Sequence, residues 1–519
     1  MVIISQAKKW VCRLFSDRDK DAPIILSVIL AEITFVFLLL TLTCLLFPSD
    51  GIDISSKSTL TFPKLKEALG LNYDDAGKNL VLNCAEGEEM FSNIPSEPER
   101  RNKSTILPAR CTPDDIRMLS IQPIEYPKGK KNMLQNTWLE LANARNSRPP
   151  MRILHYGDSQ LEADRMTLYL RSQLQRQFGG GGVGFIALDP QIPINPTIKL
   201  SLSPNWEHSV PAVKSKPQDI LRVGHMLSSI KLSSPQNKHA WIKIDRRPLR
   251  TYPALRYTCI KMQLINTGAP ITIEARTPSK VLYAQTIKAG DQMQMITINT
   301  RANRENITIN FKGRGCPEIY GLALDYRTGV AVDNIPLRSS SGVDFTKADF
   351  TLLQRSYELI NPKLIILQFG ANVIPKMMSS YRYYEEQLFE QLMLLKEIVP
   401  DANILVVGVS DMARRKNGVF SSYPNIESVR DAQKSATFRA GCAFWDAFEA
   451  MGGRNSIVSW VYAQPALASK DFCHFSADGA TLIAELFHRS LRQEYRQCLN
   501  QVNHNNYNTR RVAENNTGR

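Results

Sequence analysis

Hydrophobic and polar positions divide this chain into stretches of different texture. From Ala22 to Phe47 it is almost wholly apolar, interrupted by Ser27, Glu32 and a few threonines. As a helix that run is long enough for a hydrocarbon core of about 30 Å, so it predicts a transmembrane anchor. Residues 48–120 are polar, with scattered prolines and one hydrophobic segment from Leu65 to Leu82, and read as a spacer with some local structure. Leu134, Trp138, Leu141 and Ala142 recur at helical spacing between Asn132 and Arg145, and Ser147-Arg-Pro-Pro150 stops them. A short apolar strand around Ile153-Leu154 breaks at Gly157-Asp158-Ser159. Beyond it Leu161, Met166, Leu168, Leu170 and Leu174 predict a helix running to Phe178.

From about Leu200 to Lys312 the pattern changes to short alternating runs, such as Ala240 to Ile244, Tyr257 to Leu264, Ile271 to Ala275 and Met295 to Asn299. Turn residues separate them as in an all-β sandwich, so this segment predicts a sandwich inserted into an α/β domain. Trp206, Trp241, Tyr252 and Tyr257 are candidates for stacking on sugar rings, with core packing as the competing explanation. The α/β texture returns at Ile319. Gly321 to Val332 is strand-like, Asn334 to Gly342 is a Ser-rich loop, Phe345 to Ile360 is helical, and Leu364 to Phe369 is a buried strand. A helix over Ser380 to Ile398, a strand at Ile404 to Val409, a helix near Val429 to Arg439 and a strand near Ala443 to Trp445 follow. The last helix, Ala477 to Tyr495, opens behind Ser476 as N-cap. Such alternation predicts a parallel sheet with helices on both faces. The glycine run Gly179 to Gly184 follows a helix instead of a strand, which argues against a phosphate loop and for a permissive loop packed near the site.

The expected organisation is a cytoplasmic N-terminus over 1–21, the anchor over 22–47, a spacer over 48–147, core over 148–200, inserted sandwich over 201–315, core again over 316–498 and an Asn-rich disordered tail over 499–519. Lys8, Lys9, Arg13, Arg18 and Lys20 precede the anchor and no basic residue directly follows it, so the bulk of the chain is expected outside the cytoplasm. The run is too long for a cleavable signal peptide and lacks a small-x-small site after it. Thr43 before Cys44 is not the small residue a lipoprotein site needs. Glu32, costly in a lone membrane helix, marks either pairing with another helix or simple tolerance near one end of the span.

The 43% hydrophobic and 22% charged content is that of a globular protein. A net charge of +15, with runs at Lys128 to Lys131, Arg246-Arg247 and Arg414 to Lys416, suggests nucleic acid at first reading. For an exported chain, anionic envelope surfaces or merely solvated faces explain it better, and no nucleic-acid partner is expected. Nine cysteines leave an odd number beyond the anchor, with Cys84–Cys111 and Cys259–Cys316 as possible pairs. No CxxC or Cys/His cluster has metal spacing, so no metal and no cofactor are expected.

The candidate chemistry stands where strands end. A serine exposed where a strand stops at glycine and opens a helix reaches both a base and the amides of the helix start, as a nucleophile must. The same tripeptide is also an ordinary turn with Asp158 or Ser159 as N-cap. Ser341-Gly342, Gly370-Ala-Asn372 and Asp471-Phe-Cys-His474 lie at other strand ends, which gather at the carboxyl edge of a doubly wound sheet. There Ser159 is the candidate nucleophile, His474 the base, and Asp471 the acceptor that fixes the imidazole tautomer. The amides of Ser159 and Gly342 and the side chain of Asn372 are the candidate oxyanion donors. Cys473 reads as a filler beside the base in preference to a thiol nucleophile.

With these blocks in order, the chain resembles the SGNH/GDSL hydrolase family of esterases and acylhydrolases over residues 150–200 and 319–495. The resemblance implies a flavodoxin-like three-layer α/β/α core, here carrying an inserted β-sandwich and an N-terminal transmembrane helix. For Ser159, Gly342, Asn372, Asp471 and His474 it implies the roles argued above. One departure stands out: Val373 follows Asn372 where the family usually has Asp, which puts the donor's neighbouring support in question. Anchor and insertion make the chain similar to bacterial cell-envelope O-acetylesterases acting on peptidoglycan, whose inserted module resembles a carbohydrate-binding domain. It is more distantly similar to SGNH-type O-acetyltransferases that decorate exported polysaccharides. The expectation is a serine esterase on the periplasmic side of the inner membrane, removing acyl groups from an envelope glycan. The alternatives are an acyltransferase served by a membrane partner, and an inactive glycan-binding scaffold.

Overall fold

The computed structural model describes residues 52–55, 58–60, 111–188, 196–209, 220–232, 239–247, 256–300 and 305–517. Two compact units divide the chain, Met1–Glu97 and Pro98–Arg519. In the first, Ile52–Ser55 pairs antiparallel with Ser58–Leu60. The expected anchor, Glu32, Cys84 and Tyr252 lie outside the described residues. Among the described residues no helix is long and apolar enough to cross a membrane.

The second unit is built on a sheet of parallel strands β1 (Met151–Gly157), β2 (Val330–Pro336), β3 (Pro362–Gln368), β4 (Asn403–Val407) and β5 (Ala443–Trp445). Their order is 2-1-3-4-5, with Ile124–Glu125 antiparallel at the far edge. Every residue of β1 and β2 is buried, as a sheet covered on both faces requires. Alternate residues point to opposite faces. Ile153, Val332, Leu364, Ile366, Leu405 and Val407 meet α1 (Thr167–Phe178) and the last helix, α5 (Ala477–Thr517). Leu154, Tyr156, Ile335, Ile365, Leu367 and Val406 meet α2 (Phe350–Ile360) and α3 (Arg382–Ile398), with Ala436 and Ala440 from α4 (Ile426–Arg439) and its end. Two cores on one sheet make three layers, and the strand order is the flavodoxin-like one.

The inserted module is a pair of antiparallel sheets around an apolar core that includes Ile242, Ile260, Ile273, Ile309 and Leu322. It is wider than the expected 201–315. Gly182–Ile186 and Cys316–Asp325 pair with each other and contribute to one of its sheets, so the α/β core resumes at β2 and not at 316. Trp206 and Tyr257 are buried in this core, which settles those two as packing residues. Core and sandwich are joined by a buried polar knot. Arg152 of β1 donates to both oxygens of Asp333 at 2.6 and 2.7 Å and to Asp325, whose carboxylate also meets Lys261 at 3.2 Å.

Other expectations change for physical reasons. The spacer's last part is core: Cys111, Ile116, Ile124, Trp138 and Leu141 pack against α5 and the sheet. The helix after Ser159 starts only at Thr167, because Ala163 and Asp164 take positive φ and the Asp164 carboxylate turns to Arg171. Residues 499–517 continue α5 and are not a disordered tail, since no proline or glycine interrupts the chain between Ala480 and Thr517. The glycine run lies at the amino end of the sheet, where Gly180 bridges Val330, away from the strand ends that carry Ser159. Cys259 and Cys316 cannot pair. They stand opposite Asp325 and Thr267, at the two ends of one strand pair, far beyond the ~7 Å limit for a disulfide.

Candidate active site

Three strand ends finish on one row. Gly157 of β1 stands beside Pro336 of β2 and Gln368 of β3, so the loops that follow leave the sheet together. Asp158 caps a 3-10 turn, Ser159–Asp164, its carboxylate accepting the Gln160 N–H at 3.0 Å. The capping reading therefore holds at Asp158, which leaves the Ser159 hydroxyl free of that duty. The Ser159 amide opens the turn, where an N–H has no partner within the helix. Its Oγ lies 2.8 Å from His474 Nε2, and His474 Nδ1 lies 2.7 Å from Asp471 Oδ2.

Asp471 fixes the tautomer. Its Oδ1 accepts the backbone N–H groups of Cys473 and His474, both at 3.0 Å. Burial alone would raise this carboxyl, but the His474 amide and ring and the Cys473 amide hold it below the usual carboxylate range. An ionised Asp471 can only accept, so His474 Nδ1 carries the ring proton and donates it to Asp471 Oδ2, which leaves Nε2 as the lone-pair base facing Ser159. The histidine loop is itself anchored: Ser469 N–H donates to the His474 carbonyl at 2.8 Å, and Ser476 Oγ caps α5 by accepting the Gly479 N–H at 3.1 Å.

Two residues that the sequence reading passed over lock serine turn to histidine loop. Gln160 is buried; its Nε2 donates to the Cys473 carbonyl at 2.7 Å and its Oε1 accepts the Phe475 N–H at 3.2 Å. Arg165 donates to the carbonyls of Ser159 and, at 3.2 Å, Phe475. The available signal was a polar amide directly after Ser159, in a turn too closely packed to leave it unpartnered.

Two of the three oxyanion candidates, Asn372 and Gly342, converge on Ser340. Asn372 Nδ2 donates one hydrogen to the Ser340 carbonyl at 2.9 Å and keeps its second. Gly342, at φ +80°, donates its N–H to Ser340 Oγ at 2.9 Å, so it reaches a developing oxyanion only by sharing or surrendering that bond. Gly370, at φ +126°, makes the bend before Asn372, and buried Gln433 holds it by donating to the Phe369 carbonyl at 2.8 Å. Val373 packs in an apolar cluster with Ile374, Tyr384 and Val409, so the position after Asn372 serves packing. Burial pushes the Cys473 thiol up to about 12, which keeps it protonated and poorly nucleophilic. Among the described residues no three His, Cys, Asp or Glu side chains are gathered as a metal ion would need.

No family model matches the chain, and no curated protein matches it in sequence. Among solved structures, a peptidoglycan O-acetylesterase aligns over 72% of this chain and 99% of its own at 18% identity, with a TM-score of 0.57. The chain resembles the SGNH hydrolases in fold. A family two carbohydrate esterase from Cellvibrio japonicus covers 58% of this chain at 9% identity and 99% of its own length, but with a TM-score of 0.23. A salicylyl-acyltransferase from a tetracycline biosynthetic pathway covers 57% and 97%, at 9% identity and a TM-score of 0.24. Ser159 and Asn372 stand in loops that follow β1 and β3 at the carboxyl edge of the sheet, and His474 reaches Ser159 there.

Proposed function

We propose that the chain is a serine esterase that removes O-acyl groups, acetyl first among them, from a cell-envelope glycan such as peptidoglycan. The observation that carries this is the hydrogen-bonded chain Ser159–His474–Asp471. Ser159 Oγ attacks the ester carbonyl as His474 Nε2 takes its proton, and the Ser159 amide and the free Asn372 hydrogen receive the oxyanion. On collapse the ester C–O bond breaks, and His474 returns the proton to the sugar oxygen that leaves. Water, deprotonated by the same nitrogen, then adds to the acyl carbon; the bond to Ser159 Oγ breaks, His474 gives its proton back to Oγ, and the acid leaves. The His474 and Asp471 side chains keep 33% and 49% of their exposure, which gives water access to the acyl-enzyme and supports hydrolysis over transfer to a second sugar. The fold shared with a peptidoglycan O-acetylesterase supports the glycan class. The apolar run over 22–47, after its basic flank, supports attachment to the inner membrane with the catalytic unit outside the cytoplasm.

The purified full-length chain is expected to release acetate from O-acetylated peptidoglycan and to hydrolyse p-nitrophenyl acetate. Ser159→Ala should lower both rates by about 10³-fold or more. Undiminished turnover by Ser159→Ala would refute the assignment. Transfer to an added glycan acceptor in place of acetate release would move it to the acyltransferases.

A further inference from the structure

We infer that a basic hairpin fastened to the histidine loop is a subsite for carboxylate groups on the acylated glycan, an inference that rests on the esterase reading above. After β4 the chain folds back as Ala413–Lys416 and Val419–Ser422, paired antiparallel with Lys416 opposite Val419. Asn417 and Gly418 between them have φ of +52° and +85°. Positive φ at both central residues marks a type I′ turn, whose twist matches the strands and makes a stiff support.

The support is tied to the catalytic base. Ala413 N–H donates to the Phe472 carbonyl at 3.0 Å, and the Phe420 ring stacks on Phe472 with centroids 3.7 Å apart and planes at 12°. Phe472 follows Asp471 and lies two residues before His474. Arg414, Arg415 and Lys416 follow this junction in extended strand, Arg415 on the same face as its cross-strand partner Phe420 and Arg414 and Lys416 on the other.

The three cations are placed but not neutralised. Arg414 lies 5.5 Å from the Tyr423 ring centroid and Arg415 6.0 Å from that of Phe420, while Arg415 Nε donates to the Gly418 carbonyl at 3.2 Å. Among the described residues none of the three forms an ion pair, whereas Arg338, Arg439 and Arg454 each face a glutamate. Asp411, the nearest carboxylate in sequence, is buried and accepts the Ile457 N–H at 3.0 Å, so it does not offset them. Guanidinium planes held on aromatic faces suit bidentate capture of carboxylates, and so favour a glycan with acidic groups near its esters.

The test compares the full-length chain with the Arg414→Gln/Arg415→Gln/Lys416→Gln variant on three substrates: p-nitrophenyl acetate, O-acetylated peptidoglycan and O-acetylated glucomannan, which bears no carboxylate. The expected result is unchanged hydrolysis of the small ester and of glucomannan, with KM for peptidoglycan raised about tenfold at low salt and less at high salt. Equal kinetics on peptidoglycan, or equal losses on glucomannan, would overturn the subsite. So would a variant whose only defect is lost binding to phosphatidylglycerol vesicles, which would make the hairpin a membrane contact. If the wild-type chain hydrolyses none of the three, the esterase reading has failed. Anisotropy with fluorescent soluble peptidoglycan fragments then still decides the subsite: equal affinity of the two chains contradicts it, and tenfold weaker binding by the variant upholds it.

Discussion

Gln160 couples the two halves of the site, because its single side chain amide bridges the serine turn to the backbone on both sides of His474. Without that bridge the Ser159–His474 distance is set by loops alone, and small misplacements of a base cost one to two orders of magnitude in rate. Gln160→Ala should therefore lower kcat on p-nitrophenyl acetate about 10- to 100-fold with little change in KM. A kcat within twofold of wild type would show that the triad is positioned without it. Asp411 carries a second residue-scale expectation. Burial pushes its carboxyl up to about 6, while bonds from Ile457 and Ser422 oppose that rise. A carboxyl whose folded pKa is raised stabilises the fold fully below its unfolded value of roughly 4, and the contribution is lost as pH rises through about 6. The unfolding free energy of Asp411→Asn relative to wild type should then shift in the variant's favour between pH 4 and pH 7. A difference independent of pH would contradict it.

Among the elements, α5 presents the base by resting its first turn on the segment that leads to the histidine. A Cβ on Gly479 would sit 1.7 Å from the Leu467 carbonyl oxygen, which itself accepts the Ser476 N–H at 3.0 Å. Gly479→Ala should accordingly displace the Leu467–Phe475 stretch, lower the unfolding temperature and cut esterase turnover about 100-fold; wild-type turnover would show that the loop yields freely. The elements of the core were legible in the sequence because buried parallel strands are long apolar runs and the helices between them keep their period. Gly157-Asp-Ser159 and Asp471-x-x-His474 were legible because their spacing carries chemistry. Ala163 and Asp164 were not, since positive φ at non-glycine residues follows from tertiary bonds such as Asp164 to Arg171. The sandwich limits were missed because Gly182–Ile186 is glycine-rich and is a strand only through pairing with Cys316–Asp325. The basic hairpin carried a local sign, Asn417-Gly418, masked by the charged run in front of it.

At the scale of the whole molecule, sandwich and core are one structure because Arg152, Asp325 and Asp333 are buried where they meet. Removing one partner leaves an uncompensated charge, so Arg152→Met should cost about 3–5 kcal/mol in equilibrium unfolding. A loss under 1 kcal/mol would mean the junction is held by apolar contacts alone. This junction also keeps the inserted module fixed beside β1, the strand that ends just before Ser159. The central claim is that an acyl group passes through Ser159. It is tested most directly by acid-quenching the full-length chain during p-nitrophenyl acetate turnover and mapping its peptides by mass. One acetyl group on the peptide containing Ser159, absent from Ser159→Ala, is the predicted result. An active enzyme that never carries acetyl on Ser159, or carries it on Cys473, would contradict the account.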